Sequence, residues 1–268
     1  MTRPDLPIAG VRNNSSSLRR ALAILLEVGE RPGQNGYSLS ELCRTLEMNK
    51  STLLRLITPL MDVDLVRQDP ATGHYLLGWR TIQLGHRYVE GLDLHGTAHE
   101  ILEDVMAKTS ETVHLVIADV LAEPPHVVYI DKVDSPQPVR MHSRIGNREP
   151  MHSTAVGKAI LTASDDAARA RVLNSTMIKK TPSTLVTAEA LLADLAESRE
   201  RGYAIDDVEN EIGLRCVAAP IYDHAGVPQY AISVSGPTSR VTRDRVPELG
   251  ELVVSAAAEI SRRLGARR

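Results

Sequence analysis

The first third of the chain alternates between apolar residues at helical spacing and short runs of turn-forming residues. An amphipathic helix, for which Ser17 is a suitable N-cap, is predicted over residues 18–28, before a stretch rich in Pro, Gly and Asn. Two shorter amphipathic helices, 38–46 and 50–57, are separated by a brief connection that ends on Asn49, the predicted cap of the second. Two short strands around a Pro- and Gly-containing turn then predict a β-hairpin over residues 65–77.

This order of helices and strands is that of a winged helix-turn-helix, in which the second helix of the pair enters the major groove of DNA. In that helix the apolar residues Leu53, Leu56 and Ile57 form an inward stripe, while the N-terminal turns are polar and basic. Arg55 is the strongest candidate for a DNA contact, because a guanidinium reads guanine or clamps a phosphate. The predicted DNA-binding residues are Ser40, Lys50, Ser51, Thr52, Arg55, Arg67 and His74.

One residue conflicts with the pattern of the predicted recognition helix. Pro59 has no backbone N–H to donate, and its ring would crowd the carbonyl group of Arg55 in a continuous helix. We therefore expect the helix to kink or to end near Thr58, with its groove-facing N-terminal turns intact.

Beyond the hairpin the apolar pattern predicts a connecting helix and then a domain of mixed helices and strands. Predicted strands lie at 113–118, 127–133, 215–221 and 230–235, and predicted helices at 99–108, 155–163, 167–173, 188–201 and 244–264. Strands with helices between them indicate an α+β sheet domain. The predicted organisation is a disordered arm (1–14), a winged helix-turn-helix (15–77), a linker helix (78–93) and a larger α+β domain (94–268).

Composition and charge bear on DNA binding, membrane contact and cellular location. The net charge of −3 does not indicate a nucleic-acid-binding protein, but residues 1–90 carry 11 Lys and Arg against 9 Asp and Glu, and the remainder carries 20 against 25. The sign of this asymmetry suits an N-terminal part that binds DNA. No apolar run reaches the roughly 18–20 residues of a membrane span, and no signal-peptide core is present. Two cysteines far apart predict no disulfide framework, so we expect a cytoplasmic protein without membrane contact.

Two patterns that would indicate a cofactor or a metal are incomplete. Gly157 and Lys158 lack the first glycine and the final Ser or Thr that a phosphate-binding loop requires. His95 and His99 have the spacing of two ligands on one helical face, but no carboxylate or cysteine pattern completes the set. We therefore predict neither a cofactor nor a metal ion.

Several segments in order along the chain resemble the IclR family of bacterial transcriptional regulators. The resemblance runs from about Ser17 to the C-terminus and is strongest in the second half. Any one segment would be weak, but their order and compatible separations make the match specific. The segments that carry it are 18–22, 51–56, 73–78, 128–133, 151–161, 201–209, 213–221 and 231–237.

The resemblance implies a winged helix joined by a helix to a GAF-like effector-binding domain. It also implies a homodimer or homotetramer that binds palindromic double-stranded operator DNA, with repression as the expected direction of control. The implied effectors are small organic acids or catabolic intermediates, and no enzyme activity is expected. The residues that the resemblance assigns to the effector pocket are Ala155, Val156, Asp206, Cys216, Ser233 and Ser235.

The residue types themselves fit an acid-binding pocket, and two alternatives stay open. Ser233 and Ser235 are two apart on a predicted strand, so both hydroxyls face the same side. Backbone N–H groups at a helix start near Ala155 suit a carboxylate. The first alternative is a small-molecule thiol hydrolase that uses Cys216 as its nucleophile, which would require a histidine within hydrogen-bond reach. The second is a ligand-independent scaffold that contacts RNA polymerase.

Overall fold

The computed structural model describes residues 15–31, 36–90 and 95–266, whose contacts divide the chain into two compact units, Met1–Leu92 and Asp93–Arg268. The predicted disordered arm lies outside the described residues, as does the end of the predicted linker helix. Unit 1 contains α1 (Ser16–Glu30), α2 (Leu39–Thr45), α3 (Lys50–Asp62), β1 (Val66–Gln68), β2 (Tyr75–Leu77) and α4 (Arg80–Glu90). These are the elements of a winged helix-turn-helix, followed by a helix, in the predicted order.

The helix starts in unit 1 follow from side-chain capping. Ser38 caps α2 in a capping box, in which its hydroxyl accepts from the Glu41 N–H and the Glu41 carboxylate accepts from the Ser38 N–H. Asn49 caps α3 as predicted, accepting from the Thr52 N–H at 2.8 Å. The N-cap of α1 is Ser15 and not Ser17, because the Ser15 hydroxyl accepts from the Leu18 N–H. Three consecutive serines offer the same capping chemistry, so the pattern alone could not choose among them.

Pro59 does not end the recognition helix. Helix α3 continues through Pro59 to Asp62, so the expectation of an end near Thr58 was wrong. The proline deprives only the Arg55 carbonyl of its helical donor. Leu60 and Met61 pack against the core of unit 1 and hold the last turn in place.

A small core and one close backbone approach hold the wing against the helices. Tyr37 pairs with Tyr75 as an additional bridge on the edge of the hairpin, with N–O distances of 3.0 and 2.8 Å. A Cβ at Gly78 would lie 1.9 Å from the Asp64 carbonyl oxygen, so only glycine fits where the chain leaves the hairpin. The buried core residues are Ile24, Val28, Tyr37, Leu42, Leu53, Leu56, Ile57, Val66 and Tyr75.

Unit 2 is a six-stranded antiparallel sheet covered by helices. Its strands are β3 (Thr112–Asp119), β4 (His126–Val133), β5 (Arg148–Pro150), β6 (Ala204–Asp207), β7 (Leu214–Ile221) and β8 (Tyr230–Pro237), in the order β5-β4-β3-β8-β7-β6. Its helices are α5 (His95–Thr109), α6 (Ala155–Ala163), α7 (Asp166–Leu173), α8 (Ala188–Arg201) and α9 (Val246–Arg263). The four predicted strands and five predicted helices are present, whereas the short strands β5 and β6 had not been predicted.

The two faces of this sheet have different neighbours. Helices α5 and α9 pack on one face, while α6 packs on the other and is itself covered by α8. The α6 face carries the core cluster that contains Val116, Tyr129, Cys216, Ala218 and Ala231. Among the described residues, no helix is long and apolar enough to cross a membrane.

Candidate functional site

Helix α3 presents a polar edge to solvent at its N-terminal end. Lys50, Ser51 and Arg55 are exposed, whereas the apolar stripe that includes Leu53 is buried, so the helix is oriented as a recognition helix requires. Thr52 is half-buried, and its N–H is taken by the Asn49 cap. The arrangement leaves the side chains of the first two turns available to a groove.

The hairpin and α2 add three predicted residues to the same unit. Arg67 is exposed on β1, His74 is half-buried at the start of the return strand, and Ser40 is exposed on α2. The hairpin turn is held by Asp69, whose carboxylate accepts from two backbone N–H groups, of Thr72 and Ala71; these bonds lower the pKa of Asp69. A turn fixed in this way holds the neighbouring basic and imidazole groups in position.

In unit 2 the six residues implied by the resemblance lie together on the α6 face of the sheet. All are at least nine-tenths buried, and Ala155, Val156 and Cys216 belong to one apolar cluster. We call Asp206, Cys216, Ser233 and Ser235 the polar cluster. The structure thus assembles residues from α6, β6, β7 and β8 that are up to 80 positions apart in sequence.

Strand register places the members of the polar cluster in two adjacent rows. Asp206 pairs with Cys216, and Cys216 with Ser235, so these three side chains form one row across β6, β7 and β8. The next row runs from β7 through Ser233 to His114 on β3. The two serine hydroxyl oxygens are 3.4 Å apart, a separation at which a single ligand oxygen can contact both.

Helix α6 begins beside this cluster with free backbone donors. The Thr154 hydroxyl caps the helix by accepting from the Gly157 N–H at 3.2 Å, which leaves the N–H groups of Ala155 and Val156 without an intrahelical acceptor. A Cβ at Gly157 would lie 2.4 Å from backbone atoms of Met151, so glycine allows the helix to pass close to the preceding turn. Such a helix start attracts a carboxylate through its N–H groups and its dipole.

Asp206 is a buried acid that is partly protonated at neutral pH. Burial raises its pKa to about 7, although its Oδ1 accepts from the N–H groups of Glu209 at 2.7 Å and Asn210 at 3.2 Å. The loop that supplies these donors contains Val208 at φ 67°, a left-handed conformation that is strained for a β-branched residue. A protonated Asp206 is a hydrogen-bond donor, which suits a site that receives a second carboxylate.

The same loop is tied to α6 by a buried lysine. Lys158 is fully buried, and its ammonium lies 2.5 Å from Glu209 Oε1 and 3.0 Å from Asp194 Oδ2. The sequence had shown Lys158 only as part of an incomplete phosphate-loop pattern. In the structure its charge compensates two carboxylates behind the polar cluster.

Cys216 lacks the environment of a catalytic thiol. Its side chain is buried, and burial raises the pKa of the thiol far above its usual range, with the negative charge of Asp206 acting in the same direction. A nucleophilic cysteine needs a thiolate, and the burial of Cys216 disfavours the charged form more strongly than its surroundings stabilise it. Cys216 therefore behaves as a small buried group with a hydrogen bond to Ser235.

The sequence reasoning missed His114, which the fold places beside Ser233. Its side chain is fully buried, its Nε2 lies 2.7 Å from the Ser143 hydroxyl, and its ring contacts the Tyr129 ring at a centroid distance of 4.8 Å. A usable signal was present, because a lone histidine interrupts an otherwise apolar strand from residue 113 to residue 117.

A separate groove of about 750 Å³ opens where α6, α8 and α9 meet β7. Small side chains line most of it, and its larger polar residues are Arg199, Tyr203, Tyr222 and Arg262. None of the six implied effector residues lines this groove, so it is distinct from the polar cluster.

Comparison with known proteins identifies the same protein family in both units. Residues 17–70 match the family model of the IclR helix-turn-helix domain, and residues 86–262 match that of the bacterial transcriptional regulator IclR C-terminal domain. The acetate operon repressor of Salmonella typhimurium is 36% identical over 99% of this chain and 96% of its own length. The transcriptional regulator KdgR of Escherichia coli is 35% identical over 93% of each protein. The crystal structure of Thermotoga maritima IclR has a TM-score of 0.78 at 34% identity, over 93% of this chain and 99% of that one.

Proposed function

The chain belongs to the IclR family of bacterial transcriptional regulators, and from this premise we propose that it is a repressor whose operator binding is controlled by a small organic acid in the polar cluster. Family membership makes it a DNA-binding regulator with a small-molecule effector, not an enzyme. Relatives across the full chain carry the name repressor, which supports repression as the direction of control. The thiol hydrolase alternative has no support, and the buried neutral state of Cys216 argues against it.

We assign operator recognition to α3 and the hairpin. The proposed contacts are the seven predicted residues, with Arg55 as the base-reading or phosphate-clamping group. As a cytoplasmic homodimer or homotetramer, the protein would place pairs of recognition helices about 34–36 Å apart, or a multiple of that, on a palindromic operator. Residues 15–77 would read the operator, and residues 78–93 would connect them to the effector-binding part at 94–268.

Arg55→Ala is expected to weaken operator binding by about 1–3 kcal/mol, which is about 5- to 150-fold in Kd. The measurement is a titration by fluorescence anisotropy, with DNA that the unaltered protein selects from a random-sequence pool. Arg171→Ala is the matched control, since Arg171 is also exposed but lies on α7 in the other unit. An unchanged Kd for Arg55→Ala would remove this residue from the contact set.

The observation that carries the effector assignment is the convergence of unlike donors on one buried face. The two serine hydroxyls are 3.4 Å apart, Asp206 lies on the same face of the sheet, and α6, which packs on that face, starts with two N–H groups that have no intrahelical acceptor. Each of these groups can donate a hydrogen bond to a carboxylate oxygen. A pocket with this inventory suits a short acid better than a cation or a neutral apolar molecule.

A short carboxylic acid that binds this site is expected to raise the melting temperature, because it binds the native state only. At a concentration of about 100 Kd the stabilisation is about 2.7 kcal/mol, which corresponds to several degrees for a domain of this size. A panel of C2–C6 acids can be screened by thermal shift with the full chain. The double variant Ser233→Ala/Ser235→Ala should lose the response, while Ser255→Ala, an exposed serine on α9, should keep it. A response retained by the double variant would place the acid elsewhere.

A further inference from the structure

Among the residues that the structure describes, one buried nitrogen beside the polar cluster has no hydrogen-bond partner. His114 is fully buried on β3, and only its Nε2 is paired, with the Ser143 hydroxyl at 2.7 Å. In the described part of the chain, its Nδ1 has no hydrogen-bond partner. A buried polar atom without a hydrogen-bond partner destabilises the folded state, so its presence requires an explanation.

The fold sets this imidazole at the edge of the proposed effector site. His114 is the cross-strand partner of Ser233 on β8, so the two side chains lie on the same face of the sheet. Its ring packs against Tyr129, whose pKa is raised well above its usual value chiefly by burial. The imidazole is therefore the next polar group in the row that contains Ser233.

The chemistry of the imidazole limits what it can bind. Burial, together with the nearby ammonium of Lys132, lowers the pKa of His114 to about 3, so the ring is neutral at physiological pH. A neutral ring does not attract a carboxylate by charge, and each of its nitrogens either donates or accepts one hydrogen bond. The Ser143 hydroxyl can also act in either direction, so either tautomer is compatible with the Nε2 contact. A ligand hydroxyl satisfies Nδ1 in both cases.

We propose that Nδ1 of His114 is a specificity contact that reads a hydroxyl group of the effector, so that the site takes hydroxy acids in preference to the corresponding unsubstituted acids. The inference rests on the proposed acid-binding function. The carboxylate is held by the start of α6 and the serine hydroxyls, and the imidazole contacts the second oxygen function. An acid without that hydroxyl leaves Nδ1 unpaired and loses the contribution of one buried hydrogen bond.

The test compares acids that differ by one oxygen atom. The probes are lactate and propanoate, 3-hydroxybutanoate and butanoate, and malate and succinate, titrated by calorimetry into the full chain. For at least one pair, the unaltered protein is expected to bind the hydroxy acid about tenfold more tightly. In His114→Gln the side-chain amide reaches toward Ser143 but offers nothing at the Nδ1 position, so the preference should fall to within about twofold.

Two further variants separate this contact from a structural role. His114→Asn retains a polar atom near the Nδ1 position and should keep a measurable preference, and Ser143→Ala removes only the Nε2 partner and should keep it in full. In the unaltered protein, ¹⁵N NMR should show the Nδ1 resonance of His114 moving with the preferred hydroxy acid and not with its unsubstituted partner. The NMR result does not depend on any variant folding.

The outcomes distinguish the two levels of the proposal. If no acid of either kind binds the unaltered protein, the acid-binding function fails and the inference fails with it. If acids bind and Ser233→Ala/Ser235→Ala abolishes binding, but His114→Gln and the unaltered protein discriminate equally, only the role of His114 is overturned. Loss of the hydroxyl preference in His114→Gln, together with the NMR shift, supports the assignment.

Discussion

Lys158→Met is expected to lower the free energy of unfolding of unit 2 by about 3–5 kcal/mol, because it removes the counter-charge of the buried Glu209 and leaves Asp194 with the more distant Arg201 at 4.0 Å. Lys158 is completely buried, while the side chains of Glu209 and Asp194 are 7% and 21% exposed. Methionine fills a similar volume, so the loss measures charge compensation and not a cavity. The measurement is urea unfolding of the full chain, followed by circular dichroism.

The chain provides its own controls for this experiment. Lys108→Met breaks an ion pair with the same 2.5 Å N–O separation, but both of its side chains are more than half exposed, so it should cost less than about 1 kcal/mol. Neutralising the partners as well, in Lys158→Met/Glu209→Gln/Asp194→Asn, should recover much of the loss. Trp79, the one tryptophan of the sequence, lies in unit 1, so its fluorescence reports that unit separately. Equal losses for Lys158→Met and Lys108→Met would contradict the assignment of a buried triad.

Asp206→Asn is expected to stabilise unit 2, and the gain should grow with pH. The folded pKa of about 7 lies above the unfolded value of 3.8, so Asp206 binds a proton more tightly in the folded state. The stability of the unaltered protein that depends on this proton is fully present below about pH 4 and is lost as pH rises to about 7. Asparagine does not ionise and keeps the Oδ1 acceptor for Glu209 and Asn210. The variant should therefore gain about 2–3 kcal/mol between pH 5 and pH 8 relative to the unaltered protein.

The pH comparison needs a control substitution at a residue that does not ionise between pH 5 and pH 8. Urea unfolding at pH 5, 6.5 and 8 gives the difference between variant and unaltered protein, in which the contributions of other groups cancel to first order. Ser233→Ala changes a neighbouring buried group without an ionisable proton, and its effect on stability should not depend on pH. A stability difference for Asp206→Asn that is constant from pH 5 to pH 8 would show that Asp206 is already ionised at pH 5.

Both predictions concern one network that couples stability to the proposed site. Asp206 lies in the polar cluster, while Glu209, which donates its N–H to Asp206, also binds Lys158 on α6. A buried acid with a raised pKa and a strained Val208 reduce stability at neutral pH. Binding sites often contain buried polar groups that destabilise the protein until a ligand binds them. Substitutions that remove such groups therefore tend to stabilise the protein and to reduce its function.

Local sequence patterns determined much of the fold. The capping residue Asn49, the bounds of α6 and α8 and the hairpin turn follow from contacts within a few residues, and all were predicted. The family resemblance implied the six effector-pocket residues, and the structure places them on one buried face; their contact with an effector stays a prediction. Strands β5 and β6 are only three and four residues long and contain proline or two aspartates, so their pattern carries too little signal.

Tertiary structure alone decided the features that depend on distant partners. Lys158 is 51 positions from Glu209, and His114 is 29 positions from Ser143, so no local pattern reveals that they meet. The protonation of Asp206 and His114 depends on how much water is excluded around them, which is known only once the helices cover the sheet. Of the two outcomes expected at Pro59, a kink or an end of the helix, the end was wrong for the same reason, because packing of Leu60 and Met61 against the core sustains a turn that local propensity would end. The sequence by itself thus determined most of the elements and the family, and only the packed sheet determined which buried groups are charged, paired or left open to a ligand.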